Sequence, residues 1–376
     1  MLRLTILAVP PVITAIQTDL GLSGTEVGIL SALPVVVFGV FALPGALVVA
    51  RLGIVATLVL GLAIGSAGAM LRGVADGAAA LFATTVIMGA GIAMMQVALP
   101  AAVRGWTPAR VGFATALYTN GLLVGEVVPV ALTDAWTLPL AGGSWRGSLA
   151  LWGLPLLLAA LLTWMAAPPI RSGVAAPRSW WPDWNRSLQW RLGLIFGSIT
   201  STYFNANAFV PGYLAAIDRA DLIPGVLTAL NAGQLPVSFL LLLVAGRLER
   251  RAWPLLLSGA LSVASLVAMV STGSGWTIAW AAVLGGALAA ALTFAMTLPP
   301  LLAPPDDVAR MTAGMLALGY TMAVVVSVVS GAFWDLTASA RAAFLPIGVG
   351  LMLILLLPAT ISFGVRHEEQ GRGRLA

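Results

Sequence analysis

LPVVVFGVFALPGALVVARLG, residues 33–53, carries no charged side chain before Arg51. At 1.5 Å per residue, the roughly 18 residues before Arg51 form a helix of about 27 Å, close to the ~30 Å of hydrocarbon in a bilayer. The prolines and glycines inside it are tolerated in membrane helices, because neighbouring helices satisfy the freed backbone groups. The stretch therefore predicts a transmembrane helix whose polar end is marked by Arg51.

The whole chain shares this composition. Of its 376 residues, 60% are hydrophobic and 9% are charged, whereas a soluble domain is about 25% charged. The chain is therefore predicted to be an all-α membrane protein that crosses the lipid bilayer many times. It has no cysteine, and its one histidine is His367 near the C-terminus. We expect no enzyme activity, no cofactor and no metal, and the net charge does not indicate a nucleic-acid partner.

Apolar runs of about 20 residues predict twelve spans. The runs cover residues 1–17, 25–50, 53–71, 79–103, 111–132, 148–167, 192–214, 223–245, 254–272, 276–301, 311–333 and 342–364. The first run spans only about 25 Å as a helix, which is short for a bilayer. We therefore expect a first helix that is truncated at its N-terminus.

Arginine in the loops predicts the orientation. If the first helix enters from the cytoplasm, 14 arginines lie in cytoplasmic segments and 4 lie outside. Short cytoplasmic loops of membrane proteins are enriched in Arg and Lys. The count therefore predicts that the C-terminus lies in the cytoplasm.

A weak internal repeat divides the chain at an offset of about 200 residues. LPVVVF from Leu33 matches LPVSFL from Leu235, and ARVGFA from Ala109 matches ARMTAG from Ala309. The repeat predicts two six-helix halves, residues 1–167 and 192–364. Residues 168–191 would form a cytoplasmic linker between them, and residues 365–376 a cytoplasmic tail.

Two six-helix halves related by a parallel repeat resemble the major facilitator superfamily, in which solutes bind near the midplane between the halves. The superfamily's loop motif after the second helix is G-x-x-x-D-R-x-G-R-R. Arg51 and Gly53 match it as candidate gating residues, whereas Ala50 stands at the aspartate position. The resemblance implies a twelve-helix carrier, expected to be monomeric.

Polar side chains within the spans are expensive in a bilayer and usually face a cavity or another helix. They are Arg3, Gln96, Tyr118, Asn120, Glu126, Tyr203, Asn205, Asn207, Asn231, Gln234 and Tyr320. They fall on predicted helices one, four, five, seven, eight and eleven, whereas helices three, six, nine and twelve are nearly all aliphatic. This distribution predicts a central pathway for a solute.

Each of these residues also has a purely structural interpretation. A buried amide such as Gln96 can simply join two helices, and Tyr203 and Tyr320 can be packing aromatics. Asn231 and Gln234 share a helix face because they are three residues apart. Asn205 and Asn207 are two residues apart and cannot share a face, so only one of them is expected to point inward; the candidate site includes Asn205.

Several segments resemble the cyanate and nitroimidazole transporter family. MLRLTILAVPPVI places Arg3 on the family's first-helix arginine, and GAGIAMMQVALPAAVR places Gln96 on its helix-four glutamine. SWRGSLALW (residues 144–152), GQ at Gln234 and GY at Tyr320 also match, whereas Leu316 stands where the family often has glutamine. The family resemblance implies a first helix with about ten more apolar residues before Arg3, and hence a misassigned start.

The resemblance implies that Arg3 supplies the only buried positive charge, near the cytoplasmic third of the cavity, with Gln96 and Gln234 as hydrogen-bond donors. A fixed guanidinium suits a small anion such as cyanate. A neutral nitroimidazole-like heterocycle stacked on Tyr203 or Tyr320 is the alternative. Glu126 is a candidate for proton coupling, or faces a water-filled vestibule. A binding protein or sensor that does not transport is the remaining alternative.

Overall fold

The computed structural model describes residues 3–168, 170, 179–248 and 250–361, and these residues are almost entirely helical and contain no strand. We number the helical segments α1–α12 in chain order. They are α1, Ile13–Leu20; α2, Gly24–Leu52; α3, Ile54–Leu71; α4, Ala78–Trp106; α5, Val111–Leu132; α6, Trp145–Leu151 with Leu154–Ala166; α7, Ser187–Ala216; α8, Ile223–Ala232 with Gln234–Leu248; α9, Trp253–Thr272; α10, Trp276–Leu302; α11, Val308–Thr337; and α12, Phe344–Leu356.

The twelve-helix prediction is confirmed. Among the described residues, 10 spans are long and apolar enough to cross a membrane. The other two segments are α1, which has only 8 residues, and α7, which has 30. The α7 helix is not among these 10 spans because polar residues such as Tyr203 and Asn205 lower its mean hydropathy.

The α7 helix begins inside the predicted linker, residues 168–191. The α7 helix begins at Ser187 rather than at residue 192, because its first turns dock on the C-terminal helices. The Gln189 amide donates to the carbonyl of Met311 at 3.2 Å, and Arg191 donates to the carbonyl of Thr360 at 2.7 Å. The central part of the linker, residues 171–178, lies outside the described residues, as do residues 362–364 and the tail.

Helix packing follows the same plan in both parts of the sequence. The α2 helix packs against α11, and α5 packs against α8 and α10. Within the first six segments α3 and α2 pack on α4, and within the last six α9 and α8 pack on α10. In the internal repeat, α2 corresponds to α8 and α5 corresponds to α11. The contact between α2 and α11 is therefore the counterpart of the contact between α8 and α5. The division into two halves at residues 168–191 stays a prediction.

Glycines allow the closest of these helix contacts. A Cβ at Gly91 on α4 would overlap the backbone of Gly65 on α3. In α10, a Cβ at Gly285 would overlap the carbonyl of Leu230 on α8. Only glycine permits such backbone approach, which is how membrane helices gain packing contact without a hydrophobic driving force. These contacts determine how closely the helices that carry the site residues approach one another.

The chain before α1 is not a straight helix. Residues 3–9 form successive turns, with the amides of Ile6 and Leu7 both bonded to the carbonyl of Arg3, and a 3-10 turn, Pro10–Val12, leads into α1. Proline at the start of this turn lacks an amide hydrogen and favours such a change of geometry. The turns determine where the Arg3 side chain enters the bundle.

The loop between α2 and α3 is a sharp turn at Gly53. Its φ of +85° lies in the left-handed region that glycine adopts without a steric penalty. The Thr57 hydroxyl donates to the Gly53 carbonyl at 2.7 Å and completes the start of α3. Arg51 lies exposed in the last turn of α2.

Candidate solute site

A small central cavity lies between the first six and the last six helices. Its lining consists of Arg3, Gln96, Leu99, Tyr118, Thr119, Leu122, Phe196, Leu292, Met296 and Tyr320. The volume is about 20 Å³, which is enough for about one water molecule. The bundle is therefore closed around a group of polar and aromatic side chains in this conformation.

Gln96 and Tyr320 join α4 to α11 across this cavity. The Tyr320 hydroxyl donates to Oε1 of Gln96 at 2.8 Å, and both residues are buried. Because its carbonyl oxygen is taken, Gln96 is left with its Nε2 amide as the group available to another partner. Tyr320 itself is held by Phe196 and Phe38, with ring centroids 5.4 and 5.5 Å away.

Arg3 and Glu126 form an ion pair at the edge of the cavity. Their side chains are only 13% and 9% exposed, so the pair is largely removed from solvent. The Arg3 guanidinium also lies 5.4 Å from the ring centroid of Tyr203 and 6.0 Å from that of Phe204. The aromatic faces and the carboxylate thus surround the cation on two sides.

A hydrogen-bonded network extends from this pair into the last six helices. The Tyr203 hydroxyl lies 2.8 Å from Oδ1 of Asn231 and 3.4 Å from Oε2 of Glu126. The Asn231 amide donates to Oδ1 of Asn207 at 2.9 Å and to the Leu227 carbonyl at 2.9 Å. Side chains from α5, α7 and α8 therefore meet the first segment at one place.

The predicted depth of Arg3 stays a prediction, and the structure adds that its side chain meets Glu126. Glu126 lies six residues before Leu132, the last residue of α5, but the apolar span continues through a π-helical turn to Leu140. Residues 3–9 are successive turns and not the straight helix that the count assumed.

The prediction that Arg3 is the only buried positive charge is wrong. Arg72, assigned to an outer loop by the topology count, is fully buried. Its guanidinium donates to the Thr5 carbonyl at 2.7 Å, while Nε and Nη1 have no partner among the described residues. Arg72 follows α3 directly and is covered by the turns of residues 3–9, which the sequence did not predict.

Of the two asparagines on α7, the structure brings Asn207 rather than Asn205 into the network. Asn205 is 1% exposed and donates to the carbonyls of Ser201 and Ala323, which ties α7 to α11. On α8, Asn231 joins the network, whereas Gln234 is buried with an unpartnered Nε2. Gln234 does not line the central cavity.

Tyr118 is the cavity residue that the sequence did not single out. It was one of eleven intramembrane polar residues, and nothing in the pattern distinguished it as a binding residue. Its hydroxyl is buried without a partner, although it lines the cavity. A buried polar atom without a partner is uncommon and marks a place where a ligand or water completes the bonding.

A second pocket lies between α8 and α10 and is open to the outer surface of the helix bundle. Its volume is about 620 Å³, and its lining is Ala229, Gly275, Trp276, Ile278, Ala279 and Ala282. None of these side chains carries a charge or a hydrogen-bonding group except the indole of Trp276, which is 72% exposed. The pocket has the chemistry of a lipid-facing surface and not of a polar solute site.

Several named proteins are similar to this chain. It is 29% identical over 384 residues to the uncharacterized transporter YycB of Bacillus subtilis (strain 168), which covers 99% of this chain and 91% of that protein. It is 25% identical over 229 residues to the cyanate transport protein CynX of Escherichia coli (strain K12), covering 57% and 56%. It is 29% identical over 222 residues to the 2-nitroimidazole transporter of the same organism, covering 57% and 54%.

Solved structures share the fold at low sequence identity. The proton:xylose symporter XylE superimposes with a TM-score of 0.73 at 13% identity, covering 96% of this chain and 93% of that one. The human organic anion transporter MFSD10 gives a TM-score of 0.73 at 13% identity, covering 95% and 96%. A family profile described as the Major Facilitator Superfamily matches residues 1–218. The chain, with its similarity to the named cyanate and 2-nitroimidazole transporters, belongs to the major facilitator superfamily.

Proposed function

We propose that the protein is a secondary active transporter that moves a small anion, such as cyanate, across the bacterial inner membrane by alternating access. The observation that carries this proposal is the set of donors facing one buried cavity. Arg3 supplies a permanent positive charge, Gln96 supplies its free amide and Tyr118 supplies an unpartnered hydroxyl. Three convergent donors, one of them cationic, suit an anion and disfavour a cation.

The size of the cavity supports the proposed movement between two conformations. At about 20 Å³ the cavity is too small for a solute larger than water. The Gln96–Tyr320 hydrogen bond crosses between the two sets of helices, so opening toward either side separates residues that now touch. A solute that binds these donors would compete with this bond and favour the open arrangement.

Replacement of Arg3 tests the substrate class. We expect Arg3→Gln to lower cyanate uptake into proteoliposomes by about tenfold or more, because a hydrogen bond from a charged donor contributes roughly 1.5–3 kcal/mol. Arg341→Gln is the matched control, since Arg341 is exposed between α11 and α12. Absence of cyanate uptake by the unmodified protein, or uptake by Arg3→Gln equal to that of Arg341→Gln, would overturn the proposal.

A neutral heterocycle of the nitroimidazole kind is the second candidate. The observation in its favour is the aromatic part of the lining, formed by Phe196, Tyr118 and Tyr320. Flat heterocycles stack on such rings without needing a cation. If this candidate is right, Arg3→Gln retains 2-nitroimidazole transport within a few-fold of the unmodified protein, and cyanate transport is absent from both.

A further inference from the structure

Arg72 is a buried cation with a single acceptor among the described residues. Its side chain is fully buried, and none of the ion pairs in the described chain includes it. Nη2 donates to the Thr5 carbonyl at 2.7 Å, whereas Nε and Nη1 have no partner there. Burying a charge is costly unless the group is paired or hydrogen-bonded. The bond to Thr5 is therefore one that Arg72 has no described alternative to.

Thr5 lies inside the turn that presents Arg3. The amides of Ile6 and Leu7 both bond to the Arg3 carbonyl, so that Thr5 is enclosed within one loop of backbone. Among the described residues, Arg72 supplies the one side-chain hydrogen bond that reaches residues 4–12 from elsewhere in the chain. Arg72 thus fixes the backbone two residues away from Arg3.

The backbone that carries Arg72 is itself firmly packed. Arg72 begins the 3-10 turn Arg72–Val74, directly after α3. A Cβ at Gly73 would lie 2.9 Å from the carbonyl oxygen of Arg146, which is too close for any residue but glycine. The Arg146 Nε also donates to the Ala75 carbonyl at 3.1 Å. The start of α6 therefore holds this turn, and the Arg72 bond extends that hold to the first residues of the chain.

Arg3 needs such a hold because its side chain works at a distance from its own backbone neighbours. The guanidinium contacts Glu126 on α5 and lies 5.4 Å from the ring centroid of Tyr203 on α7. Its backbone forms turns and is not supported by a regular helix. A binding group keeps its geometry, to within about 0.5 Å, only when surrounding hydrogen bonds and packing fix it. The bond between Arg72 and Thr5 is a contact of this kind.

Packing alone does not require a guanidinium at position 72. Replacing buried charged groups by apolar side chains of similar volume is often neutral or stabilising. A methionine would fill much of the same space without the cost of burying a charge. What a methionine lacks is a donor that reaches the Thr5 carbonyl.

We infer that Arg72 is a positioning residue, which holds the Thr5 carbonyl so that Arg3 lies at the central cavity. The inference rests on the proposed anion transport, in which Arg3 binds the solute. Arg72 does not line the central cavity and acts only through the first turns of the chain. Without its bond, Arg3 occupies its place for part of the time. The half-saturating solute concentration then rises in inverse proportion to the occupied fraction.

Uptake kinetics test this role. We expect Arg72→Met to raise the half-saturating cyanate concentration about three- to tenfold in proteoliposomes, while the maximal rate changes little. Arg191→Met is the matched control, because Arg191 also donates to a backbone carbonyl at 2.7 Å, that of Thr360. The control should leave the half-saturating concentration unchanged. Equal half-saturating concentrations for the two variants would overturn the inference.

Two further variants separate positioning from a general loss of structure. Arg72→Lys keeps a cationic donor, so its half-saturating concentration should lie closer to that of the unmodified protein than the value for Arg72→Met. In the Arg3→Gln background the side chain to be positioned is absent. Arg72→Met should then change the half-saturating concentration less than about twofold, because coupled residues are not additive. The full effect of Arg72→Met in that background would contradict the inference.

The proposed transport and the role of Arg72 fail in different ways. If the unmodified protein takes up no cyanate, the transport proposal fails, and thermal unfolding without solute decides the role of Arg72. Arg3→Gln should lower the unfolding temperature less in the Arg72→Met background than in the unmodified protein, because the pair with Glu126 is then already loosened. Additive changes would show that Arg72 does not hold Arg3. If Arg72→Met does not fold, Arg72→Gln, which also removes the charge, takes its place in both measurements.

Discussion

The Tyr320 hydroxyl on α11 donates to Oε1 of Gln96 on α4 at 2.8 Å, across 224 residues of sequence. This bond fixes which end of the Gln96 amide remains available inside the cavity. It also connects the two sets of helices that would separate in the proposed transport cycle. Tyr320 therefore orients the amide that we propose binds the solute and joins the two sets of helices in this conformation.

Removing this hydroxyl should weaken solute binding more than it weakens the fold. We expect Tyr320→Phe to raise the half-saturating concentration of the transported solute about three- to tenfold, because one net hydrogen bond contributes roughly 0.5–1.5 kcal/mol. The ring still packs against Phe196 and Phe38, so thermal unfolding should change little. Initial uptake rates measured over a range of solute concentrations provide the check.

Tyr213→Phe is the matched control for this variant. Tyr213 is 1% exposed and donates to the Val270 carbonyl, joining α7 to α9 away from the cavity. Its loss should lower the unfolding temperature and leave the half-saturating concentration unchanged. Equal changes in solute binding for the two variants would show that Tyr320 has no specific part in the site.

The two asparagines of α7 should behave differently when shortened. We expect Asn207→Ala to change the pH dependence of transport, because the Asn231 amide loses its 2.9 Å acceptor and the backbone carbonyl of Tyr203 loses the donor that Asn207 supplies. Asn205→Ala should lower thermal stability and leave that pH dependence unchanged, because Asn205 bonds only the carbonyls of Ser201 and Ala323. Transport rates measured between about pH 5 and 8, with unfolding temperatures, distinguish the two. The reverse pattern would favour the sequence-based choice of Asn205.

Acid should remove the contribution of Asp19 to stability. The Arg146 guanidinium, which donates to Asp19, lowers the pKa of that carboxyl below its usual 3.8, and the Trp145 indole adds a bond of 3.2 Å. Because the pKa is lower in the folded state, the stabilisation is present above the unfolded-state pKa and is lost as the pH falls through the folded-state value. The unfolding temperature of Asp19→Asn should therefore lie below that of the unmodified protein at pH 7 and approach it as the pH falls below the usual pKa of 3.8.

Asp76→Asn is the comparison for Asp19, since Asp76 is an exposed aspartate in the outer loop between α3 and α4. Its replacement should leave the unfolding temperature unchanged across the same pH range. A difference between Asp19→Asn and the unmodified protein that stays constant down to pH 3 would show that the Asp19 ion pair with Arg146 adds no stability.

The sequence predicted the helices and the candidate residues better than their pairing. Long apolar runs determine spans almost independently of context, and polar residues such as Gln96, Glu126 and Tyr320 are conspicuous within them. The choice between Asn205 and Asn207 needed the rotation of α7, because residues two apart lie about 200° apart around a helix. That rotation is set by the neighbouring helices and leaves no local pattern.

Arg3 and Arg72 show a second reason why sequence was insufficient. Counting residues from a helix end assumes a straight helix, and the turns of residues 3–9 break that assumption. The same turns cover Arg72, which a topology count can only assign to a loop. The burial of Arg72 was missed because of irregular backbone near the start of the chain, where 3.6-residue periodicity carries no information.

The glycine contacts have a mechanical consequence. Where Gly91 meets Gly65 and Gly285 meets Leu230, two backbones touch, and neither helix can slide or rotate without collision. The contacts of Gln96 with Tyr320 and of Asn120 with Ser238 are single side-chain hydrogen bonds that can part and form again. The closest backbone contacts named here therefore lie within one set of six helices, whereas these two hydrogen bonds cross between the two sets. Replacement of Gly91 or Gly285 by alanine would disturb backbone contacts within one set of helices, whereas removal of the Tyr320 hydroxyl would disturb a hydrogen bond between the two sets.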